Sequence, residues 1–219
     1  MRKYTIITEI IVAVLMVIVA IIRIAMGEYM LAVHNILWAV LAGFLAVTLW
    51  RIARDEKKAY EPRVTAHKLI KSLTDAHVTV ATAESCTGGL VAKSITDIPG
   101  ASEVFQYGLV TYSNEAKHKL LGVRNETLDE HTAVSEATAI EMARGAMEVA
   151  GSAIGLSVTG YAGGFAEGTE NNGLVWIAVV NTKGYEKAVA HHWKDCSRKQ
   201  IREAALGVAL DMIYEAATV

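Results

Sequence analysis

The chain has 219 residues, a formal net charge of −2, 53% hydrophobic residues and a mean hydropathy of +0.31. This length holds one domain of ordinary size and a modest additional segment. Acidic and basic residues are interspersed, so the composition gives no electrostatic reason to expect nucleic acid as a partner. Cys86 and Cys196 lie far apart without further Cys or His at metal spacing. This pattern is typical of a reducing compartment and predicts neither a disulfide framework nor a metal site.

The apolar excess lies in the first fifty residues of the chain. Every residue from Ile10 to Ile22 is apolar, and a second apolar run covers Ile36 to Trp50 with two interruptions. When the residues from Tyr4 and from Tyr29 are added, each run reaches about 20 residues, the length that a helix needs to cross a bilayer. The sequence therefore predicts two transmembrane helices and contact with the membrane through residues 4–50.

Positive charge flanks the two runs on their outer sides. Arg2 and Lys3 precede the first run and a basic segment follows the second, whereas the connector carries only Arg23 and Glu28. Because positive residues favour the cytoplasmic side, this predicts a multi-pass hairpin in the cell membrane with the remaining domain in the cytoplasm. A pair of buried helices and a secretory signal peptide are the alternatives. Helices apolar on all sides favour lipid, and a signal peptide would leave the second run unexplained.

The predicted organisation is a hairpin at 1–50, a charged cytoplasmic linker at 51–63 that ends near Pro62, and a domain at 64–219. In this domain the apolar periodicity alternates between helical and strand-like, which is typical of an α/β fold. We expect a single, three-layer-like α/β domain with a mixed sheet, preceded by the two transmembrane helices.

The elements predicted in this domain begin with a helix and a strand. In chain order they are helix 64–76, strand 78–83, short helix 88–96, a Pro-Gly loop at 97–102, strand 104–112, helices 114–121 and 135–150, strand 153–159, a glycine-rich loop at 160–173, a hairpin of strands 174–181 and 187–193, and helix 198–216.

A cluster of hydroxyl residues and glycines follows the first predicted strand. Ser85, Thr87, Gly88 and Gly89 stand where a strand passes into a helix. Backbone N–H groups at such a junction can bind a phosphate or stabilise an oxyanion, and a serine there can be held ready to attack. The pattern alone does not separate this site from a plain helix cap and tight turn.

A second cluster follows the next strand, where Tyr112 precedes Lys117 by five positions. A lysine partly desolvated beside a serine can act as a general base, because burial lowers its pKa. Tyr112 can orient the amine. A solvated surface lysine is the alternative, since spacing alone does not pair Lys117 with a serine.

Two later features can bind an anion or a substrate. Thr159 and Gly160 repeat the passage from a strand into a glycine-rich loop, and loops of this length in a compact domain are usually functional. Arg198 and Arg202 lie one helical turn apart at the start of the last helix, an arrangement suited to an anion. A surface loop and two exposed arginines are the corresponding alternatives.

These segments together resemble the CinA C-terminal domain family, which includes nicotinamide-nucleotide amidohydrolases. The resemblance covers about Val64 to Ile213 and rests on six blocks in order. They are Ala83-Glu84-Ser85-Cys86-Thr87-Gly88-Gly89, Thr96-Asp97-Ile98-Pro99-Gly100-Ala101-Ser102, Val110 to Lys117 with Leu121-Gly122-Val123, Ala133-Val134-Ser135-Glu136, Val158-Thr159-Gly160, and Gly173 to Ala178.

The resemblance implies a serine-lysine amidohydrolase that converts nicotinamide mononucleotide to nicotinic acid mononucleotide and ammonia without a metal or cofactor. The family's working residues fall on six positions of this chain, which are Ser85, Ser102, Tyr112, Lys117, Thr159 and Arg198. Lys117 is expected to act as the base and either Ser85 or Ser102 as the nucleophile. Thr159 and Arg198 are expected to hold the phosphate or the carboxamide.

The chain departs from many relatives in the loop after Thr159, where it has Tyr161, Gly164 and a shortened 170–174 segment. This difference motivates a second hypothesis, a catalytically silent, membrane-tethered interaction module linked to the competence and damage contexts of the family. The family also leads us to expect a homo-oligomer.

Overall fold

The computed structural model describes residues 2–55, 59–163 and 170–219. The chain divides into two compact units, residues 1–57 and residues 58–219.

The first unit is a helical hairpin. Helix α1 covers Arg2–Ala25 and helix α2 covers Tyr29–Asp55, with a turn at Gly27, where φ is +80°. The residues buried between the helices are alanines, namely Ala20, Ala32, Ala39 and Ala46. Three of them recur every seventh residue along α2, so one seam of small side chains lets the two backbones approach closely.

The outward faces of this hairpin are apolar and exposed. Leu37, Val40 and Phe44 on α2 are each more than 60% exposed. Among the described residues one stretch, Tyr29–Trp50, is both long and apolar enough to cross a membrane, and a shorter apolar stretch covers Ile11–Ala25. Of the two predicted spans, the second has a candidate of full length.

The second unit alternates helices and strands. Its helices are α3 (Ala66–Ala76), α4 (Leu90–Thr96), α5 (Asn114–Leu121), α6 (Asn125–His131), α7 (Glu136–Ala150) and α8 (Arg198–Thr218). Its strands are β1 (Val80–Glu84), β2 (Phe105–Val110), β3 (Ile154–Gly160), β4 (Leu174–Asn181) and β5 (Glu186–His192), and a 3₁₀ turn covers Ala101–Glu103.

The strands form one mixed sheet in the order β2-β1-β3-β4-β5. Strands β2, β1 and β3 are parallel, and β4 and β5 add to them as an antiparallel hairpin. The parallel part arises because helices connect its strands, while the short Lys183-Gly184 turn forces β5 to run back along β4. The predicted α/β domain with a mixed sheet is confirmed.

Helices cover both faces of the sheet. On β3, Ile154, Leu156 and Val158 point into the core shared with α3, α4 and α8, whereas Gly155 and Ser157 face α7. A side chain at Gly155 would place its Cβ 2.0 Å from the carbonyl oxygen of Ala143. The period of two along the strand thus lets α7 press against one face while branched side chains fill the other.

The structure differs from the predicted elements at several places. Strand β1 begins two residues later than predicted, at Val80, and ends one residue later, at Glu84. Strand β2 is shorter than predicted at both ends. Helix α6 was not predicted, because its sequence is polar with Leu128 as its single aliphatic side chain. A long-range contact stabilises its start, where the backbone N–H and guanidinium of Arg124 donate to the carboxylate of Glu141 at 2.6 to 2.9 Å.

Candidate active site

The parallel strands β1, β2 and β3 end at the same edge of the sheet. Glu84 pairs with Val110 on one side and with Val158 on the other. The residues that follow each strand are therefore neighbours, although they lie far apart in the sequence. Side chains from these three exits make the candidate site.

Lys117 and Ser85 meet at this edge. Lys117 lies on α5 and is 1% exposed, and its Nζ is 3.2 Å from the Oγ of Ser85, which is 8% exposed. The cap of α5 fixes the position of the lysine, because the Ser113 hydroxyl accepts from the backbone N–H of Ala116 at 3.1 Å. The lysine predicted to act as base is thus buried against a serine hydroxyl.

The surroundings of Lys117 favour a neutral amine. Burial lowers its pKa from the usual 10.5, and none of the described carboxylates forms an ion pair with it. Nζ also contacts the carbonyl oxygens of Thr111 at 2.9 Å and Tyr112 at 3.4 Å. A neutral amine has two N–H donors and one lone pair. If the two carbonyls take the two N–H groups, the lone pair is left for the hydroxyl of Ser85.

The turn after β1 is built on glycine. Gly88 and Gly89 have φ of +60° and +89°, values that favour glycine over residues with a Cβ. The guanidinium of Arg202 on α8 donates to the carbonyl oxygen of Thr87 at 2.5 and 3.2 Å. At the start of the turn, the backbone N–H of Ser85 still donates to Val158 of β3 at 2.9 Å. Ser85 is therefore held on one side by its hydrogen bond to β3 and on the other by the turn that Arg202 fixes.

Two N–H groups at the start of the helix after this turn are occupied by a carboxylate of the chain itself. The carboxylate of Glu84 accepts from the backbone N–H groups of Val91 at 3.1 Å and Ala92 at 2.8 Å. A buried acid within the chain thus occupies these two N–H donors at the start of α4. A glutamate at the end of a buried strand, just before a helix, was the signal that we overlooked.

Two buried hydroxyls next to the site lack a partner within the described chain. They belong to Thr87, two residues after Ser85, and to Thr111, whose carbonyl oxygen contacts Lys117. Buried hydroxyls are normally hydrogen-bonded, so an unpaired one at a candidate site suggests a bound molecule as its partner. Thr111 was missed by the sequence analysis because nothing in its local pattern distinguishes it.

Arg198 and Tyr112 form the outer wall. One guanidinium nitrogen of Arg198 donates to the carbonyl oxygen of Ala162 at 3.0 Å, and another lies 3.4 Å from the hydroxyl of Tyr112. Tyr112 is 62% exposed. Both predicted residues are thus together at this edge, and Arg198 retains N–H donors that could face a ligand.

Thr159 and Gly160 stand at the end of β3. The hydroxyl of Thr159 donates to the carbonyl oxygen of Ala133 at 2.6 Å, so its oxygen can only accept from a substrate. A Cβ at Gly160 would lie 2.7 Å from the carbonyl oxygen of Leu174, which gives this glycine a packing role. Part of the glycine-rich loop predicted at 160–173 lies outside the described residues.

Ser102 lies elsewhere in the chain. It is exposed in the turn that precedes β2, whereas Tyr112 and Lys117 follow β2. At about 3.3 Å per residue, the strand between them spans about 17 Å. Within one chain, therefore, the structure does not bring Ser102 to Lys117. The sequence could not show this, because the length of β2 decides it.

Cys86, next to Ser85, is not a competing nucleophile. Its side chain is buried, and burial raises the pKa of its thiol to about 12. The thiolate is the reactive form, and it is scarce at neutral pH when the pKa is so high.

A mixed sheet whose strand ends join a buried lysine to a serine hydroxyl defines an α/β protein with a serine–lysine site. The family model of the CinA C-terminal domain matches residues 63–217. The chain therefore belongs to the CinA C-terminal domain family.

Several relatives and solved structures are similar to this chain. The nicotinamide-nucleotide amidohydrolase PncC of Shigella flexneri is 45% identical over 141 residues, covering 63% of this chain and 83% of that protein. A putative competence-damage inducible protein of Acetivibrio thermocellus is 47% identical over 145 residues, covering 65% of this chain. The competence/damage inducible protein CihA of Agrobacterium tumefaciens has a TM-score of 0.66 and 40% identity, covering 70% of this chain and 93% of that structure.

The match to the Acetivibrio protein covers 34% of that protein's length. This chain thus shares one domain with longer relatives, and it carries the hairpin of α1 and α2 before the matched residues.

Proposed function

We propose that this protein is an amidohydrolase that converts nicotinamide mononucleotide to nicotinic acid mononucleotide and ammonia through a serine–lysine mechanism. The observation that carries the proposal is the 3.2 Å contact between the Nζ of buried Lys117 and the Oγ of Ser85. The name of the Shigella relative supplies the substrate. Of the two candidate serines, Ser85 is the one beside the base within one chain.

In the first half of the reaction, neutral Lys117 accepts the proton of Ser85 as Oγ attacks the carboxamide carbon. The tetrahedral intermediate then collapses, and the nitrogen leaves as ammonia after taking the proton from the lysine ammonium. The product is an ester of Ser85 with the nicotinate carboxyl group. The hydroxyls of Thr87 and Thr111, unpaired within the described chain, are candidate donors to the developing oxyanion.

In the second half, a water molecule attacks the ester while Lys117 accepts one of its protons. Collapse of this intermediate releases nicotinic acid mononucleotide, and the proton returns from Lys117 to the Oγ of Ser85. Arg198 is exposed beside Tyr112 and is the proposed contact for the phosphate of the nucleotide. Thr159 is proposed to accept a hydrogen bond from the substrate.

The test is ammonia release from nicotinamide mononucleotide by the full chain in detergent, compared between two lysine variants. Lys117→Ala should lose about 10²- to 10⁴-fold in kcat, the usual contribution of a general base. Lys119→Ala is the matched control, because Lys119 lies on the same helix and is exposed. Equal rates for wild type and Lys117→Ala would end the enzyme proposal. Binding of the nucleotide without turnover would instead support the silent interaction module.

We also propose that α1 and α2 anchor the domain in the cell membrane as a hairpin, with both ends in the cytoplasm. The exposed apolar faces of both helices, the alanine seam and the outer positive charges support this arrangement. A cysteine at Met26, which is 72% exposed in the connector, should react with a membrane-impermeant thiol reagent in intact cells. A cysteine at Val219 should react only after lysis. Labelling of both, or of Val219→Cys alone, would contradict the proposed topology.

A further inference from the structure

We propose that Arg202 is a positioning residue for Ser85, and that it acts through the peptide group between Thr87 and Gly88. The kinetic consequence of this role rests on the proposed amidohydrolase function. The contacts that define the role lie in the turn between β1 and α4.

The peptide group between Thr87 and Gly88 is hydrogen-bonded at both of its ends. Its carbonyl oxygen accepts from Nε of Arg202 at 3.2 Å and from Nη2 at 2.5 Å. Its N–H, which belongs to Gly88, donates to the carbonyl oxygen of Ser85 at 3.0 Å. Because a peptide group is planar and rigid, a displacement of its carbonyl end also moves its N–H end. Arg202 and Ser85 are thus connected through one rigid group.

The turn needs support from outside because its own backbone is permissive. Gly88 and Gly89 have φ of +60° and +89°, and glycine adopts positive and negative φ about equally well. The side-chain hydroxyl of Thr87 has no hydrogen-bond partner within the described chain, so it does not hold the turn. The guanidinium lies directly against the turn, since a Cβ at Gly88 would be 3.7 Å from Nη2 of Arg202. The conformation of the turn therefore depends on the bonds that its peptide groups make.

Weaker support would remain if the guanidinium were removed. The carbonyl oxygen of Thr87 also accepts from the backbone N–H of Leu90 at 3.3 Å. Before the turn, the backbone N–H of Ser85 donates to Val158 of β3 at 2.9 Å. These bonds keep the turn attached to the helix and to the sheet. Loss of the Arg202 side chain should therefore let Ser85 shift relative to the neighbouring amine without unfolding the domain.

Helix α8 holds the guanidinium in a defined place. A capping box fixes the start of the helix, because the Ser197 hydroxyl accepts from the backbone N–H of Gln200 and the Gln200 side chain accepts from the backbone N–H of Ser197 at 2.9 Å. Ile201, the residue before Arg202, is fully buried in the core. The N–H groups of a guanidinium form a planar fork, so two bonds to one oxygen define a direction as well as a distance. A lysine ammonium would not define this direction.

The two arginines at the start of α8 have different contacts. Arg198 lies on the exposed wall, where it contacts the carbonyl oxygen of Ala162 and the hydroxyl of Tyr112. Arg202 is half-buried, and both Nε and Nη2 are directed at the backbone of the turn. A residue that contacts the substrate affects KM, whereas one that orients the nucleophile affects kcat. Removal of Arg202 should therefore lower kcat.

Steady-state kinetics of the full chain in detergent test this role. Arg202→Ala should lower kcat about 10- to 100-fold, the scale expected when a reacting group is displaced by up to about 1 Å. The KM for nicotinamide mononucleotide should stay within about twofold of wild type. Guanidinium ion, added well below denaturing concentrations, should restore part of kcat because it can donate to the carbonyl oxygen of Thr87. Arg202→Lys should stay below wild type, since it lacks the planar fork.

Arg144→Ala is the matched control, because Arg144 is an exposed arginine on α7 that pairs with Glu186. It should keep the wild-type kcat and should not respond to added guanidinium. A wild-type kcat in Arg202→Ala, or a raised KM with unchanged kcat, would overturn the proposal. A loss of kcat that guanidinium does not restore would also count against it, because filling one contact does not repair a general structural defect.

Labelling of Ser85 by a fluorophosphonate tests the positioning without the nucleotide. Oγ of Ser85 forms a bond to phosphorus, fluoride leaves, and Lys117 takes the hydroxyl proton. Wild type should be labelled at least about tenfold faster than Arg202→Ala, and Ser85→Ala should not be labelled. If labelling depends on Arg202 but no ammonia is released, the proposed substrate is wrong and the positioning role stands. Equal labelling of wild type and Arg202→Ala, or labelling of neither, would overturn the positioning role.

Discussion

The ends of β1 and β3 look alike in the sequence and differ in the structure. Both strands are parallel neighbours, and each passes into a hydroxyl residue followed by glycine. At the end of β3, the hydroxyl of Thr159 is already bonded to the carbonyl oxygen of Ala133. At the end of β1, Ser85 faces the amine of Lys117, and the nearby hydroxyl of Thr87 has no partner within the described chain. The hydroxyl at one strand end is bonded within the chain, and the hydroxyl at the other contacts a buried amine.

The neighbours of each strand cause this difference. Strand β1 lies beside β2, whose exit leads into α5 and brings Lys117 to the edge. Strand β3 lies between β1 and β4, and the segment before α7 supplies Ala133. A local motif therefore does not define a reactive site, because the residue that activates or satisfies its hydroxyl comes from elsewhere in the chain.

The largest effect is expected from removing the hydroxyl of Ser85 at the end of β1. Ser85→Ala should reduce ammonia release by at least about 10³-fold, the scale seen when a nucleophile is removed. Cys86→Ala is the neighbouring control and should keep most of the activity, since the thiol is held protonated. Rates are measured at saturating nicotinamide mononucleotide. A Ser85→Ala variant with near wild-type kcat would show that Ser85 is not the nucleophile.

The next prediction concerns pH. Only neutral Lys117 can accept the serine proton, and burial lowers its pKa from 10.5. Below that lowered pKa, kcat/KM should fall about tenfold per pH unit, because the neutral fraction falls by that factor. A kcat/KM that does not fall with decreasing pH at any pH where the protein stays folded would argue that Lys117 is not the base.

The free energy of unfolding should also depend on the protonation of Lys117. Between the lowered pKa of the folded state and 10.5, the unfolded chain binds more protons at Lys117 than the folded chain, so stability rises with pH in that window. Lys117→Met removes this dependence. The difference between the Tm of wild type and the Tm of the methionine variant should therefore increase as the pH is raised through the window. This holds whichever protein is more stable at pH 7.

The satisfied strand end should respond in stability more than in catalysis. Thr159→Val removes the 2.6 Å hydrogen bond to Ala133 and leaves a carbonyl oxygen without its partner. The expected cost is about 1–3 kcal/mol in the free energy of unfolding, measured by urea denaturation. Thr159→Ser keeps the hydroxyl and is the matched control. A valine variant that is as stable as wild type but inactive would contradict this prediction and would show that the Thr159 hydroxyl is needed for catalysis.

The sequence predicted the architecture better than the site. Alternation of helical and strand periodicity was sufficient for the α/β domain, since every long element buries one face. The contact between Ser85 and Lys117 joins residues 32 positions apart, and only the family resemblance grouped them. The role of Glu84 at the start of α4 was missed, as was the distance of Ser102, because both depend on where strands end. Boundaries of strands are the part of a fold that local patterns specify least.

The smallest expected effect concerns the wall between the two strand ends. In Tyr112→Phe, Arg198 loses a 3.4 Å contact with a side chain that is largely exposed, but it keeps its 3.0 Å bond to the carbonyl oxygen of Ala162. Because Ala162 follows β3 and Tyr112 follows β2, Arg198 would remain bound to the segment after β3. We expect KM for the nucleotide to rise a few-fold, about the value of one weak hydrogen bond, and kcat to change little. A kcat loss near that of Ser85→Ala would instead place the tyrosine hydroxyl in the proton path between Ser85 and Lys117.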